Sequence, residues 1–319
     1  MTDIPEPPRH VIRLTESVQM AFRLIPAGSF LMGSRGYGKE EEPSHRVVIA
    51  EPFWMAETPV TQAQFAVWTV AEGIEHKNHF DGKLDHPAES MDWFQAVAFG
   101  QSLVGQCAAQ FPSGFAGAVL PSEAQWEYAC RAGTETEYYT GDGEAVLAEA
   151  GWYGEDWDTG STHAVAGKPA NLFHLYDMHG NVWEWCSDVR DEMAYRKRPG
   201  FFNSRAWTLE DAGPQVEYMN EEDRRNGHPQ RVVRGGSWRL TAWFCRSAFR
   251  FGWGPGLRYW SLGFRLALVP GPGGGGQQGQ GSGATTSQQG ATGDGGRGTS
   301  PESEGAVDLA SGHLPEMPA

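Results

Sequence analysis

The segment from Arg234 to Arg265 constrains the fold of this chain most strongly. It begins with Arg-Gly-Gly-Ser-Trp (234–238) and ends with Leu-Gly-Phe-Arg (262–265). Between these blocks lie large aromatic side chains: Trp243, Phe244, Phe249, Phe251, Trp253, Tyr259 and Trp260. Glycines and Pro255 interrupt this interior, so it cannot form one continuous helix or strand. Large side chains on such irregular backbone either pack as core or form a binding surface.

Size and charge exclude several classes of protein. A chain of 319 residues holds one large domain or two ordinary ones. The net charge of −15 argues against a nucleic-acid partner, because phosphate binding needs a basic face. The C-terminal third of the folded part is locally rich in arginine, which indicates structural arginines and a preference for acidic ligands. The four cysteines form no Cys-x-x-Cys pair, so neither a zinc site nor a thioredoxin-type site is predicted.

Composition predicts one folded domain between two simpler segments. Residues 1–15 form a proline-rich lead-in, and residues 16–270 show no linker-like change. Residues 271–319 are rich in Gly, Gln and Ser and contain no aromatic residue, so this tail is predicted to be disordered. No stretch approaches the ~20 apolar residues of a membrane span, and the N-terminus lacks a signal-peptide core. The expected location is therefore the cytoplasm.

Local patterns predict an α+β domain of short elements with much irregular structure. Three capping boxes mark helix starts, at Thr61/Gln64, Asp92/Gln95 and Ser122/Gln125, and Gly133 is predicted to cap the third helix. Short apolar runs predict strands at 22–25, 30–32, 46–49, 231–234 and 263–267. The polar insert 187–230 is predicted as loop. The expected core frame consists of Trp126, Trp183, Trp185, Trp238 and Phe264.

Longer motifs resemble the formylglycine-generating enzymes, also called sulfatase-modifying factors. The matching blocks include Ile25-Pro-Ala-Gly-Ser-Phe-Leu-Met-Gly33, residues 58–61, 120–133 and 175–185, and the two blocks that bound the aromatic segment. The resemblance runs in order over about residues 20–268. It implies a C-type-lectin-like fold of the formylglycine-generating-enzyme type. Function must still come from the site, because this family contains both enzymes and non-enzymes.

Two catalytic alternatives follow from the family. A copper oxidase that makes formylglycine needs two close thiolates, and the family places them just after the Gly-Gly-Ser-aromatic block. Here residues 239–244 contain no cysteine and Cys245 stands alone, so neither copper nor a catalytic residue is expected. A non-haem iron sulfoxide synthase carries this domain together with a histidine-rich helical domain. No such helix precedes the domain, so this alternative is also disfavoured.

The third alternative is a binding protein with a variable segment at 239–261. Ordinary family members carry asparagines where this chain has other residues, whereas the surrounding frame is retained. This replacement resembles the variable proteins of diversity-generating retroelements, in which mutagenic copying alters template adenines. Trp253 and Trp260 cannot arise from an asparagine codon and require other template codons. The predicted ligand-binding residues are Arg239, Leu240, Thr241, Phe244, Phe249, Phe251, Gly252, Trp253, Gly254, Leu257, Tyr259, Trp260 and Ser261.

The implied partner is a macromolecular surface or an exposed ligand, bound without catalysis. Replacing Phe251, Trp253, Tyr259 and Trp260 with Ser is expected to abolish binding and leave the melting temperature nearly unchanged. The competing interpretation is core packing, because Phe249, Phe251 and Trp253 alternate as in a half-buried strand.

A structural calcium site is the remaining prediction. Two carboxylates with backbone carbonyls between them suit a hard cation. The related enzymes bind calcium at this block, and the corresponding residues here are Asp177, Gly180, Val182 and Glu184. The alternative is a turn in which Asp177 and Glu184 bond to backbone and arginine.

Overall fold

The computed structural model describes residues 6–197, 202–203, 205–206, 208, 211 and 221–270. The predicted tail 271–319 and much of the insert 187–230 lie outside the described residues. The strands are β1 Arg9–Arg13, β2 Gln19–Ile25, β3 Gly28–Met32, β4 His45–Ile49, β5 Phe53–Ala56, β6 Phe115–Val119, β7 Trp183–Val189, β8 Phe202–Asn203, β9 Arg231–Arg234, β10 Arg250–Trp253, β11 Leu262–Gly263 and β12 Ala267–Pro270. The helices are α1 Gln62–Glu72, α2 Trp93–Cys107, α3 Glu123–Arg131, α4 Glu144–Ala150, α5 Ala194–Lys197 and α6 Glu221–Asn226.

The described strands form three sheets. The largest has the order β1-β2-β5-β12-β6, the second β10-β9-β7-β11 and the third β3-β4-β8. The domain boundary predicted at residue 16 is too late, because β1 pairs with β2 from Arg9↔Arg23 to Arg13↔Gln19. In β1 the side chain of Ile12 is fully buried, so this strand belongs to the domain.

The three capping boxes are confirmed as helix starts. Thr61, Asp92 and Ser122 each accept a hydrogen bond from the backbone N–H three residues ahead, and each box is reciprocal. The predicted end of α3 is one residue off. Ala132, with φ 46°, is the left-handed cap, and Gly133 follows it. The insert predicted at 187–230 likewise begins inside β7 and contains α5 and α6.

The predicted strand 263–267 is instead a crossover between two sheets. β11 pairs with β7 in the four-stranded sheet, whereas β12 pairs with β5 and β6 in the five-stranded sheet. Between them, the carbonyls of Phe264 and Leu266 accept hydrogen bonds from Val60 and Ala56, at 2.8 and 2.9 Å. The backbone therefore leaves one ladder and enters another, which short apolar patterns alone do not reveal.

The predicted core frame is confirmed by burial. No side chain in it is more than 1% exposed: Trp126, Trp183, Trp185, Trp238 and Phe264. Full burial of a large apolar side chain contributes roughly 1.5–3 kcal/mol. Among the described residues, no helix has the length and apolar character needed to cross a bilayer.

Candidate ligand-binding site

Three buried arginine–glutamate pairs hold the start and the middle of the aromatic segment. The Arg246 guanidinium donates to Glu41 at 2.8 and 2.9 Å, and the Arg250 guanidinium donates to Glu123 at 2.7 and 2.9 Å. Arg234, in β9, donates to Glu127 of α3. All of these side chains are almost fully buried, and paired forks of this kind fix geometry as well as charge. The structural interpretation of these arginines is therefore correct.

Burial divides the predicted ligand-binding residues into two groups. Phe249, Gly252, Trp253, Gly254 and Ser261 are buried, so their prediction as ligand-contacting residues is wrong in this structure. The two aromatic members of this group pack on Trp183 of β7, whose ring lies 6.0 Å from that of Phe249 and 5.9 Å from that of Trp253. The predicted period-two alternation is present, but two of its three rings are core.

Gly252 is buried for a steric reason. A Cβ atom at this position would lie 1.9 Å from Cδ of Arg190. That arginine is itself held by Glu40 at 2.8 Å and by Glu192 at 3.2 Å. A side chain at position 252 therefore requires Arg190 to leave its partners. Ser261 is fixed through its backbone, since its carbonyl accepts the Trp183 N–H at 2.8 Å.

The remaining predicted residues are at least partly exposed: Arg239, Leu240, Thr241, Phe244, Phe251, Leu257, Tyr259 and Trp260. The aromatic members of this group contact buried rings or one another. Ring centroids lie 5.1 Å apart for Phe244–Phe249, 5.7 Å for Phe251–Trp253 and 6.0 Å for Tyr259–Trp260. Trp243, which the predicted set omits, is 40% exposed. The segment thus presents partly exposed side chains above a layer of buried ones.

The Arg239 guanidinium lies in an aromatic enclosure. Its Cζ is 4.0 Å from the ring centre of Trp157, 4.9 Å from that of Tyr259 and 5.8 Å from that of Trp260. Burial lowers the pKa of Arg239, because the charged form loses water. Attraction between a cation and ring faces, about 0.5–2 kcal/mol, offsets part of that penalty.

Two members of this aromatic cluster come from outside the segment and were missed. The Phe80 ring stacks on that of Trp260, with the ring centroids 5.9 Å apart and the planes at 18°. The Trp157 ring meets the Trp260 ring edge-on at a centroid distance of 5.1 Å. Trp157 is 36% exposed. No sequence spacing connects positions 80, 157 and 260, so only the fold brings these rings together.

A buried carboxyl group supports this cluster from beneath. Glu89 accepts a hydrogen bond from the Phe80 N–H at 2.8 Å, and its other oxygen accepts one from the Ser90 hydroxyl. The Ser90 N–H donates to the Tyr259 carbonyl at 3.1 Å. Burial raises the pKa of Glu89 to about 7. One titrating group therefore connects the Phe80 loop with the aromatic segment.

Cys245 has the environment of a structural residue. It is fully buried, and burial raises the pKa of its thiol to about 12. Copper(I) coordination requires thiolates, which such burial disfavours. The only cysteine of the segment is thus protonated at neutral pH, consistent with a small buried apolar role.

The predicted calcium block has its carboxylates engaged by the protein. Glu184 accepts from the Arg265 guanidinium at 2.7 Å on each oxygen, and from the Trp126 indole at 2.8 Å. Asp177 accepts from the Ala166 N–H at 2.8 Å and from the Asn181 amide at 3.2 Å. The described residues contain no group of three His, Cys, Asp or Glu side chains suited to a metal ion. Glu184 therefore does not fit a calcium ligand in this arrangement, and calcium stays a prediction from the resemblance.

Gly180 and Val182 have structural roles in the same block. Gly180 has φ 78°, and a Cβ there would lie 1.9 Å from the carbonyl oxygen of Trp152. Its N–H donates to the Gly235 carbonyl at 2.7 Å, and Val182 is fully buried. This turn connects the start of β7 to the glycine pair that precedes the aromatic segment.

Fold and sequence together define the family. Residues 13–269 match the sulfatase-modifying factor enzyme 1-like domain, so the chain belongs to that family. Its fold is the C-type-lectin-like fold in the formylglycine-generating-enzyme variant.

Three individual proteins illustrate the relationship. The structure of Treponema denticola variable protein 1 is 28% identical, with a TM-score of 0.64, and the match covers 83% of this chain and 100% of that one. The formylglycine-generating enzyme of Mycobacterium tuberculosis is 34% identical over 214 residues, 50% of this chain and 71% of that protein. The serine/threonine-protein kinase pkn1 of Chlamydia caviae is 29% identical over 265 residues, 76% of this chain. The matched region spans only 37% of that kinase's length.

Proposed function

We propose that this protein is a non-catalytic binding protein whose ligand contacts the partly exposed side chains of segment 239–261, Trp243 among them, together with Trp157. Buried, ion-paired residues alternate with partly exposed residues within one segment, and this is the main observation in support of the proposal. Arg246 and Arg250 are ion-paired and buried, whereas Phe244 and Phe251 beside them are partly exposed.

The chemistry of the exposed set supports binding. Tyr, Trp, Phe and Arg are enriched at protein interfaces, because they supply large contact areas at low entropic cost. Contiguous exposed apolar side chains on a folded domain usually mark an interaction surface. The likeness to a protein named variable protein 1 supports diversification of this segment, as in diversity-generating retroelements.

A library experiment tests the proposal without knowledge of the ligand. One library randomises the partly exposed positions 239, 240, 241, 244, 251, 257, 259 and 260, and a matched library randomises the buried positions 249, 252, 253, 254 and 261. We expect most members of the first library to fold, measured by surface display and protease resistance, and few of the second. Equal folding in both libraries would contradict the division of the segment.

Sequencing of natural isolates tests the diversification itself. The expected finding is a near-copy of codons 239–261 beside a reverse-transcriptase gene, with mismatches only opposite template adenines. An identical segment in every isolate, with no near-copy, would refute this part of the proposal.

The formylglycine-generating alternative has a specific observation in its favour, the 34% identity to the M. tuberculosis enzyme. It is tested by incubating the protein with copper(I), oxygen and a sulfatase-type cysteine peptide, followed by mass spectrometry. Because Cys245 stands alone and buried, we expect no conversion to the aldehyde. Conversion would establish catalysis and overturn the non-catalytic assignment.

A further inference from the structure

A cavity of about 250 Å³ lies between two loops, and Arg246 is one of its lining residues. The first loop (33–44) follows β3, and the second (133–143) follows α3. Arg131 joins them at the floor, because its guanidinium donates to the Gly33 carbonyl at 3.0 Å and to the Thr136 carbonyl at 3.1 Å. The Tyr37 hydroxyl donates to Glu137 and joins the loops again. The cavity is therefore bounded by backbone that is fixed from both sides.

The charged side chains that line the cavity without an ion-pair partner in the described part of the chain differ in sign. Arg35 lies on the first loop, and Glu135 and Asp142 lie on the second. The Nε of Arg35 donates to the Ser44 hydroxyl at 3.2 Å, and Asp142 accepts the Glu137 N–H at 2.9 Å. Within the described ranges, no ion pair joins Arg35 to either acid, although all three line one cavity.

The other charged groups of the lining already have partners within the protein. Arg131 pairs with Glu127 at 2.9 Å and Arg246 pairs with Glu41 at 2.8 Å. Glu137 accepts the Tyr37 hydroxyl and the Gly143 N–H, the latter at 2.7 Å. Opposite charges that face one cavity without pairing suit a ligand that carries both signs, since charge-assisted hydrogen bonds are the strong ones.

Size and apolar surface narrow the ligand further. Liquid water occupies about 30 Å³ per molecule, so the cavity accommodates a ligand of on the order of ten non-hydrogen atoms. This is smaller than a drug-sized pocket. Leu31 and Tyr37 line the cavity and are 38% and 37% exposed, which provides apolar surface for a short side chain. Trp243 packs on Tyr37 at 5.3 Å and extends this wall towards the variable segment.

We propose that this cavity binds a free α-amino acid with a small or aliphatic side chain, with its carboxylate at Arg35 and its ammonium group at Glu135 and Asp142. The cavity adjoins the surface proposed above, but Arg35, Glu135 and Asp142 lie outside segment 239–261. The proposal therefore does not depend on diversification of that segment.

The test is isothermal titration of the full chain with glycine, L-alanine and L-leucine. We expect at least one of them to bind with a Kd below about 1 mM, an ordinary efficiency for a ligand of about nine non-hydrogen atoms. Leucinamide lacks the carboxylate, and 4-methylpentanoate lacks the ammonium group. Each is expected to bind at least about tenfold more weakly than leucine, because it leaves one charge of the site unmatched.

Variants assign the two charges. Arg35→Gln should weaken L-leucine binding at least about tenfold and leave leucinamide binding unchanged, because leucinamide has no carboxylate. Glu135→Gln should likewise weaken L-leucine binding but leave the binding of 4-methylpentanoate unchanged, because that compound has no ammonium group. Arg13→Gln and Glu149→Gln change exposed residues outside the cavity and serve as matched controls. All four changes are at exposed positions, so an unchanged melting temperature confirms that each variant folds.

Two outcomes overturn the proposal. One is the absence of binding by all three amino acids up to about 10 mM, a concentration that would detect even weak sites. The other is equal binding of leucine, leucinamide and 4-methylpentanoate, which would show an apolar cavity without charge recognition. Neither outcome affects the library and sequencing tests of the variable segment.

Discussion

Replacing Trp253 with Ala tests whether the aromatic segment contains core residues. The Trp253 side chain is 4% exposed, and its ring lies within 6.0 Å of the ring centres of Trp183, Phe251 and Tyr259. Truncating a buried tryptophan to alanine typically costs about 3–5 kcal/mol, because contacts are lost and a cavity remains. A domain of this size loses about 2–4 °C of melting temperature per kcal/mol. We therefore expect a decrease of roughly 6–20 °C in Trp253→Ala.

Trp243→Ala is the matched control within the same segment. Trp243 is 40% exposed, and its main partners are Tyr37 at 5.3 Å and the Arg246 guanidinium at 4.3 Å. Losing one cation–ring contact with a buried cation costs about 0.5–2 kcal/mol, which corresponds to roughly 1–8 °C. Differential scanning calorimetry of both variants measures the difference. A decrease in Trp253→Ala no larger than that in Trp243→Ala would refute the assignment of Trp253 to the core, and would restore the surface role predicted from the sequence.

Three further predictions concern other parts of the site. The pKa of Glu89 is raised from 4.5 to about 7, so the protonated side chain stabilises the fold fully below pH 4.5. This contribution, up to about 3 kcal/mol, is lost as pH rises through 7. Urea unfolding at pH 5 and pH 8 should show the loss in the wild type and not in Glu89→Gln. Glu184→Gln should lower the free energy of unfolding by about 3–5 kcal/mol, since it leaves the buried Arg265 without its counter-charge. Excess EDTA should leave the wild-type melting temperature unchanged. A shift of the melting temperature with EDTA would favour calcium. Gly252→Ala should lower the free energy of unfolding in urea by about 1–3 kcal/mol, because its Cβ meets Arg190. Gly256→Ala serves as the control, because a Cβ there has no atom within 4 Å. Equal stability of the two variants would contradict the steric argument.

Local signals in the sequence predicted local structure well. The three capping boxes were recognisable because the two partners of each box stand three residues apart, so their geometry depends on nothing distant. The strands at 22–25 and 231–234 are predictable from their own apolar runs. In contrast, Arg9–Arg13 was missed because a short strand of mixed polarity is defined by its pairing partner rather than by its own pattern.

The site could be predicted only as a segment, and not residue by residue. Phe249 and Phe251 have the same residue type and nearly the same neighbours in the sequence, yet one is buried and the other partly exposed. Trp183, more than sixty positions away, lies near both rings, at 6.0 and 6.3 Å, so the difference depends on the surrounding fold and not on the local sequence. Trp157 and Phe80 were missed because rings from distant loops meet Trp260 only in the folded chain.

The arginine–glutamate pairs described above also have a consequence for the order of folding. The partners of Arg246 and Arg250 are 205 and 127 positions earlier in the chain, so each pair closes a very long loop. Contacts of such sequence separation form late, because the loop entropy must be offset by structure that already exists. We therefore expect the earlier strands and helices to assemble first and to receive segment 239–261 as a final insertion. Changes at the exposed positions of the segment would then act after the folding nucleus has formed, and would alter unfolding rates more than folding rates.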